Sequence, residues 1–177
     1  MHIFDYSFLD KGMLPAEIVN LTSTISVFNV ISGERKEKNR SVYTELEKIA
    51  RIQSVKSSNA IEGIVTSDER IEEIVNQNSK PLNHNEYEIA GYRDALKEIH
   101  LHYEDIEFSE KTILRLHEIM MSYTGVEDAG QYKINQNYII EEDKQGNRKI
   151  RFKPLDAKET PDAVEQLVLA YQDACNN

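Results

Sequence analysis

The stretch "SSNAIEGIV", Ser57–Val65, closes a helical pattern and leaves one carboxylate, Glu62, directly before Gly63. Upstream, Val42, Leu46 and Ile49, followed by Gln53 or Val55, trace one face at three- and four-residue spacing. Ser41 stands where it can cap that helix, and Gly63 where it can end it. A negative charge at a helix C-terminus is mildly unfavourable against the macrodipole, so Glu62 there asks for a cationic partner. Ser58 lies one helical turn earlier, close enough to share that surroundings or to bond within the helix.

Helical periodicity extends to both sides of this stretch. Pro15 suits a first helical turn, and Ile18, Leu21, Ile25 and Phe28 follow on one face until Gly33. "GERKEKNRS", Gly33–Ser41, interrupts its basic residues with Glu34 and Glu37 and reads as a solvated loop. "TSDE", Thr66–Glu69, has the capping-box pattern, and Ile71, Ile74 and Val75 make a short third helix that fades before Pro81. A fourth helix is predicted from about Asn85 to Tyr103, with Ile89, Tyr92, Leu96 and Ile99 inward. A fifth starts at Ser109 and carries Ile113, Leu116, His117 and Met120 before Gly125.

The period then changes. Tyr138–Ile140 and Lys149–Phe152 alternate around the turn residues of "EEDKQGN", which predicts one β-hairpin within about residues 136–153. A lone hairpin is marginal, so it is expected to lean on the helices or on a ligand. The last helix has Thr160 as cap, Pro161 in its first turn, and Val164, Leu167, Val168 and Tyr171 on one stripe. The expected fold is therefore mainly α, with one hairpin, divided into residues 1–80 and 81–177.

Composition narrows the function. The chain of 177 residues is long enough for a real core, and its net charge of −10 argues against broad electrostatic binding to nucleic acid. The single cysteine, Cys175, allows no intrachain disulfide and fits a reducing compartment. There is neither a basic-then-apolar leader nor an apolar run of about eighteen residues, so no membrane is expected and a cytoplasmic location is. His100 and His102 fall on different helix faces and make a poor metal pair, and His117 on an apolar stripe reads as a core histidine. Gly125 and Gly130, separated by Glu127 and Asp128, do not read as a phosphate cradle.

In order along the chain, "SSNAIEG", "NEYEIAGYRDALKEI", "TILRLHEIMM", "GVEDAGQYK" and a hairpin ending in "RFKP" resemble the first part of a Fic domain. Ser58, Glu62 and Gly63 match the family's inhibitory motif: Ser or Thr, three residues, Glu, then Gly or Asn. The resemblance covers roughly Pro15 to the end of the chain. Two departures stand out. Lys133 occupies a position where the family commonly has Arg, and the loop His-Pro-Phe-x-Asp-Gly-Asn-Gly-Arg is missing, since none of His2, His84, His100, His102 and His117 begins such a run. The chain is therefore expected to be the N-terminal part of a longer protein.

The resemblance implies transfer of AMP from ATP, with Mg2+, to a hydroxyl of a protein substrate. It assigns the catalytic groups to the missing loop, so no catalytic residue is expected in this chain and no cofactor is expected to bind it alone. Glu62 would pair with the last Arg of that loop, because a carboxylate and a phosphate offer a guanidinium the same forked geometry. Tyr138, Ile139 and Ile140 resemble the first strand of the flap that aligns the target by strand addition. Alternatives are a non-catalytic inhibitor or interaction module acting on a separate Fic protein, and a plain helical interaction domain. Apolar surface on the last helix is expected to favour self-association.

Overall fold

The computed structural model describes residues 2–8, 12 and 15–176, so part of the N-terminal run read as leaderless lies outside the described residues. Among the described residues, six α-helices and one hairpin follow in the order α1 (Ala16–Lys38), α2 (Arg40–Ile61), α3 (Asp68–Gln77), α4 (His84–His102), α5 (Glu110–Met121), β1 (Ile139–Glu142), β2 (Arg148–Phe152) and α6 (Thr160–Asn176). The fold is thus mainly α with one antiparallel hairpin, as the periodicities require. The chain divides into two compact units, Phe8–Arg93 and Met1–Ser7 with Asp94–Asn177, the division falling inside α4.

In the unit Phe8–Arg93 the predicted loop after Gly33 is not a loop: α1 runs through Gly33 to Lys38. Glycine inside a helix costs only about 1 kcal/mol relative to alanine, and Arg35, Lys36 and Lys38 in the last turn offset that by facing the negative end of the dipole. The break comes at Asn39 (φ −132°, ψ 48°), and α2 starts at once, so Ser41 is helical and caps nothing. The core of this unit is Val55 of α2, Ile71, Ile74 and Val75 of α3, and Ile89 and Ala90 of α4. The α2 face is buried only at its C-terminal end. Val42, Leu46 and Ile49 are exposed, and α1 buries no residue.

The unit Met1–Ser7 with Asp94–Asn177 gathers α5, the hairpin and α6. The Ser109 hydroxyl accepts the Thr112 N–H at 3.2 Å and caps α5. Gln166 of α6 accepts the Phe4 N–H at 3.0 Å and donates to the His2 carbonyl at 2.9 Å, which ties the first residues to α6. The Phe108 and Tyr171 rings meet at 4.6 Å between centroids, tilted by 59°. Thr160 is not a cap: a 3-10 turn over Ala157–Glu159 precedes it, and its hydroxyl donates to the Asp156 carbonyl at 3.2 Å. The turn already supplies the helix start, leaving the hydroxyl with a backbone acceptor instead. Of the α6 stripe only Val168 is buried, and Ile99 of α4 is likewise exposed.

The polar centre of the unit Phe8–Arg93 is Glu86, 2% exposed. Its carboxylate accepts from Arg70 Nη2 at 2.8 Å and Nε at 3.2 Å, from the Leu82 N–H at 2.9 Å and from the Thr66 hydroxyl at 3.2 Å. Arg70 also pairs with Glu73 and donates to the Lys80 carbonyl at 3.2 Å. This cluster moves the capping of α3. Thr66 is drawn to Glu86, so Ser67 rather than Thr66 is the N-cap, accepting the Arg70 N–H at 3.3 Å, and the expected capping box does not form. The Arg70 hydrogen bond holds the Glu86 carboxyl down at about 2, against burial, which acts to raise it. A carboxyl depressed in the folded state stabilises above its unfolded value of 4.5, and that contribution is lost as pH falls through about 2. Glu86→Gln should therefore flatten the loss of stability between these pH values, and Glu86→Ala, which leaves the Leu82 N–H and the Thr66 hydroxyl without their acceptor while Arg70 keeps Glu73, should cost about 2 kcal/mol. Urea unfolding followed by circular dichroism across that pH range reads both.

Candidate functional site

The end of α2 is built by backbone bonds that the sequence permits at one position. The Gly63 N–H donates to the Ala60 carbonyl and the Ile64 N–H to the Asn59 carbonyl, each at 3.0 Å, the pair that defines a Schellman close. That geometry needs a left-handed residue after the cap, and Gly63 supplies it with φ 77°. Glu62 is the cap itself (φ −85°, ψ 5°), its N–H bonded to the Asn59 carbonyl at 3.1 Å. Its side chain is exposed, and among the described residues no hydrogen bond or ion pair reaches the carboxylate.

Several contacts fix this corner. Buried Asn59 donates from Nδ2 to the Val55 carbonyl at 2.8 Å, one turn back in α2. Ser58 accepts the Tyr92 hydroxyl at 3.0 Å, which joins α2 to α4. Asn85 Nδ2 donates to the Val65 carbonyl at 2.9 Å, and Thr66 is held by Glu86, so the segment after Gly63 is pinned within three residues. The structure therefore brings Ser58, Glu62 and Gly63 together at one helix end and gives Ser58 a partner that the sequence reading lacked. Asn85 and Tyr92 were visible only as parts of a helical segment. Side chains that reach across to another element carry no periodic signal.

The second predicted site, Tyr138–Ile140, belongs to the other unit. Ile139 and Ile140 open β1, whereas Tyr138 precedes it. The hairpin pairs Ile139 with Phe152 and Ile140 with Ile150, with a bulge between, and continues through Glu141–Lys149 and Glu142–Arg148. Two ion pairs cross it, Arg148–Glu142 at 2.6 Å and Lys149–Glu141 at 3.3 Å. At the turn, Asp143 accepts from the N–H groups of Gln145 and Asn147 and from the Asn147 amide, each at 2.9 Å. The Asn147 side chain foremost keeps the Asp143 carboxyl below its usual value.

Every residue of both strands is exposed, so of the two expected supports, the helices or a ligand, the strands do not use the helices of this chain. It is held at its base. Lys133 donates to Asn137 Oδ1 at 2.7 Å and to the Leu155 carbonyl at 3.0 Å, while Gln136 donates to the Pro154 carbonyl at 3.2 Å and accepts the Ala157 N–H at 3.0 Å. Sequence reading noted Lys133 only as a departure and missed Gln136.

The Gly125–Gly130 loop is ordered by His117. Its Nδ1 accepts the Gly130 N–H at 3.0 Å, so that amide is already used. The Tyr132 hydroxyl is buried and forms no close hydrogen bond; burial first, then the nearby Glu110 carboxylate, pushes it up to about 12. Among the described residues, no three His, Cys, Asp or Glu side chains gather as a metal site. No protein-family model matches the chain, and no curated protein matches it.

The two left-handed glycines make a paired test. A Cβ at Gly63 would meet nothing within 4 Å, so Gly63→Ala should cost about 1 kcal/mol, the conformational term alone, and Gly63→Asn less. At Gly130 (φ 73°) a Cβ would stand 2.9 Å from Glu118 Cβ and 3.2 Å from the Leu114 carbonyl oxygen, so Gly130→Ala should cost more. Thermal unfolding that ranks Gly63→Ala as the worse of the two would overturn this account.

Proposed function

We propose that the chain is the N-terminal regulatory and target-docking part of a self-inhibited Fic-type protein that transfers AMP from ATP to a protein hydroxyl. The observation that carries the reading is the Glu62 carboxylate: exposed, unpaired among the described residues, and set on a backbone closed by two Schellman bonds and pinned through Val65 and Thr66. An unpaired carboxylate on a fixed backbone at the negative end of a helix suits an arginine that would otherwise take a phosphate. One such charge-assisted contact contributes roughly 1.5–3 kcal/mol, about a ten- to hundredfold change in population.

ATP and Mg2+ would be held by the loop this chain lacks. The residues present do not fit the nucleotide: the Gly130 amide is taken by His117, and the loop around it carries Glu127 and Asp128. No catalytic step is therefore assigned to these residues, and the chain alone is inactive. The exposed hairpin, with Ile139 and Ile140 on β1 beside Tyr138, would offer its strand edge to the protein substrate. Among the described residues no helix is long and apolar enough to cross a membrane. We place the protein in the cytoplasm, with no nucleic-acid partner.

In the protein that carries the loop, Glu62→Gly should raise self-modification with labelled ATP about ten- to hundredfold. Unchanged incorporation in that variant, with the loop present and the fold intact, would count against the inhibitory role. If Glu62→Gly instead matters only when the 177-residue chain is added to a separate Fic protein, the chain is an inhibitor acting in trans.

A further inference from the structure

No residue of α1 is buried, although from Ile18 to Ser32 the helix carries no charged side chain. Its hydroxyls do not need water either. Thr22, Ser23, Thr24 and Ser26 all donate to carbonyls of their own helix at 2.8–3.1 Å. Cover over those four residues strands no hydroxyl donor, and a helix this apolar is normally found covered. Leu21 and Phe28 are each 61% exposed, and Ile31 is 37% exposed.

The spacing identifies the cover. Glu17, Leu21, Thr24, Phe28, Ile31 and Arg35 alternate by four and three residues, the seam of a two-helix coiled coil. The seam carries Leu21, Phe28 and Ile31 around Thr24, whose hydroxyl is bonded within the helix, and is acidic at its start and basic at its end. Set against itself antiparallel, it places Glu17 opposite Arg35, Leu21 opposite Ile31 and Thr24 opposite Phe28, twice by symmetry. The helix dipoles then oppose, which is also favourable. A helix of 23 residues is about 34 Å long, so two paired along their length present apolar surface toward the roughly 800 Å² per copy of a standard interface.

We infer that α1 is a self-recognition helix that pairs antiparallel with α1 of a second copy of this chain. The apolar middle supplies the affinity, and the Glu17–Arg35 pairs set the direction. Nothing in this inference depends on the Fic reading.

Sedimentation equilibrium of the 177-residue chain should give twice the chain mass at micromolar concentration. Phe28→Glu should weaken the dimer at least a hundredfold with helical circular dichroism unchanged, because α1 buries nothing within the chain. Glu17→Arg should weaken it several-fold, and adding Arg35→Glu should restore it. In a Cys175→Ser background, Leu21→Cys and Ile31→Cys chains should form a disulfide with each other when mixed and neither with itself. A monomer at all concentrations overturns the inference, as does a dimer indifferent to Phe28→Glu. A dimer lost instead on Leu169→Glu assigns association to α6 and overturns it equally.

Discussion

The buried Glu86 carboxylate is the interaction on which the unit Phe8–Arg93 turns. It accepts from a guanidinium in α3, a hydroxyl in the segment before α3, and a backbone N–H in the segment before α4. Its own N–H is taken by Asn83 Oδ1 at 3.1 Å, which starts α4. Exposed pairs such as Arg51–Glu47 and Lys48–Glu45 contribute under about 1 kcal/mol each, because water screens them and long side chains must be ordered. Glu86 differs in being buried and nearly saturated with donors. A buried pair need not add net stability over apolar packing, but its loss is costly, so it selects one geometry over nearby ones. The geometry selected here is the path of residues 64–67, and through it the angle at which α2 ends.

That dependence explains where local reading of the sequence succeeds. The apolar periods of α3, α4 and α5 are legible, and so is the stop at Gly63, because each is decided within a turn or two of chain. The cap of α3 was misplaced by one residue, since Thr66 and Ser67 are equally good caps until Glu86, twenty residues on, takes the Thr66 hydroxyl. Gly33 was read as a stop because a glycine penalty is visible locally, while the basic last turn that outweighs it lies beyond the residue. Periodicity also located apolar faces on α1 and the first half of α2 without telling whether anything covers them. A period reports what a helix could bury, and burial needs a neighbour.

The site was legible to a similar depth. Glu62 before Gly63 could be singled out because a carboxylate before a helix-ending glycine is an electrostatic anomaly in its own right, and Ser58 joined them only through the resemblance to the Fic motif. The groups that fix them, Asn85 and Tyr92, could not, since each acts through one side chain reaching across to another element. The same holds at the hairpin. Its strands follow from alternation and its turn from Asp143 and Gly146, but the clamp formed by Lys133 and Gln136 rests on backbone carbonyls whose positions no pattern announces.

A switch built on Glu62 has to satisfy two opposing demands, and the local structure separates them. The backbone must stay put whether or not the carboxylate is paired, otherwise gaining or losing the partner would require refolding the corner. Schellman bonds, the Asn59 side chain and the Asn85–Val65 contact meet that demand without using the Glu62 side chain at all. The carboxylate itself must be held weakly enough to be displaced. Its exposure serves this, because water screens whatever a cationic partner contributes, leaving a difference of a few kcal/mol at most. A difference of that size would be reversible by a competing phosphate, which a pair built on a buried carboxylate with several donors, such as Glu86–Arg70, is not. The chain thus places a buried, paired carboxylate and an exposed, unpaired one within one unit, and burial is what distinguishes them.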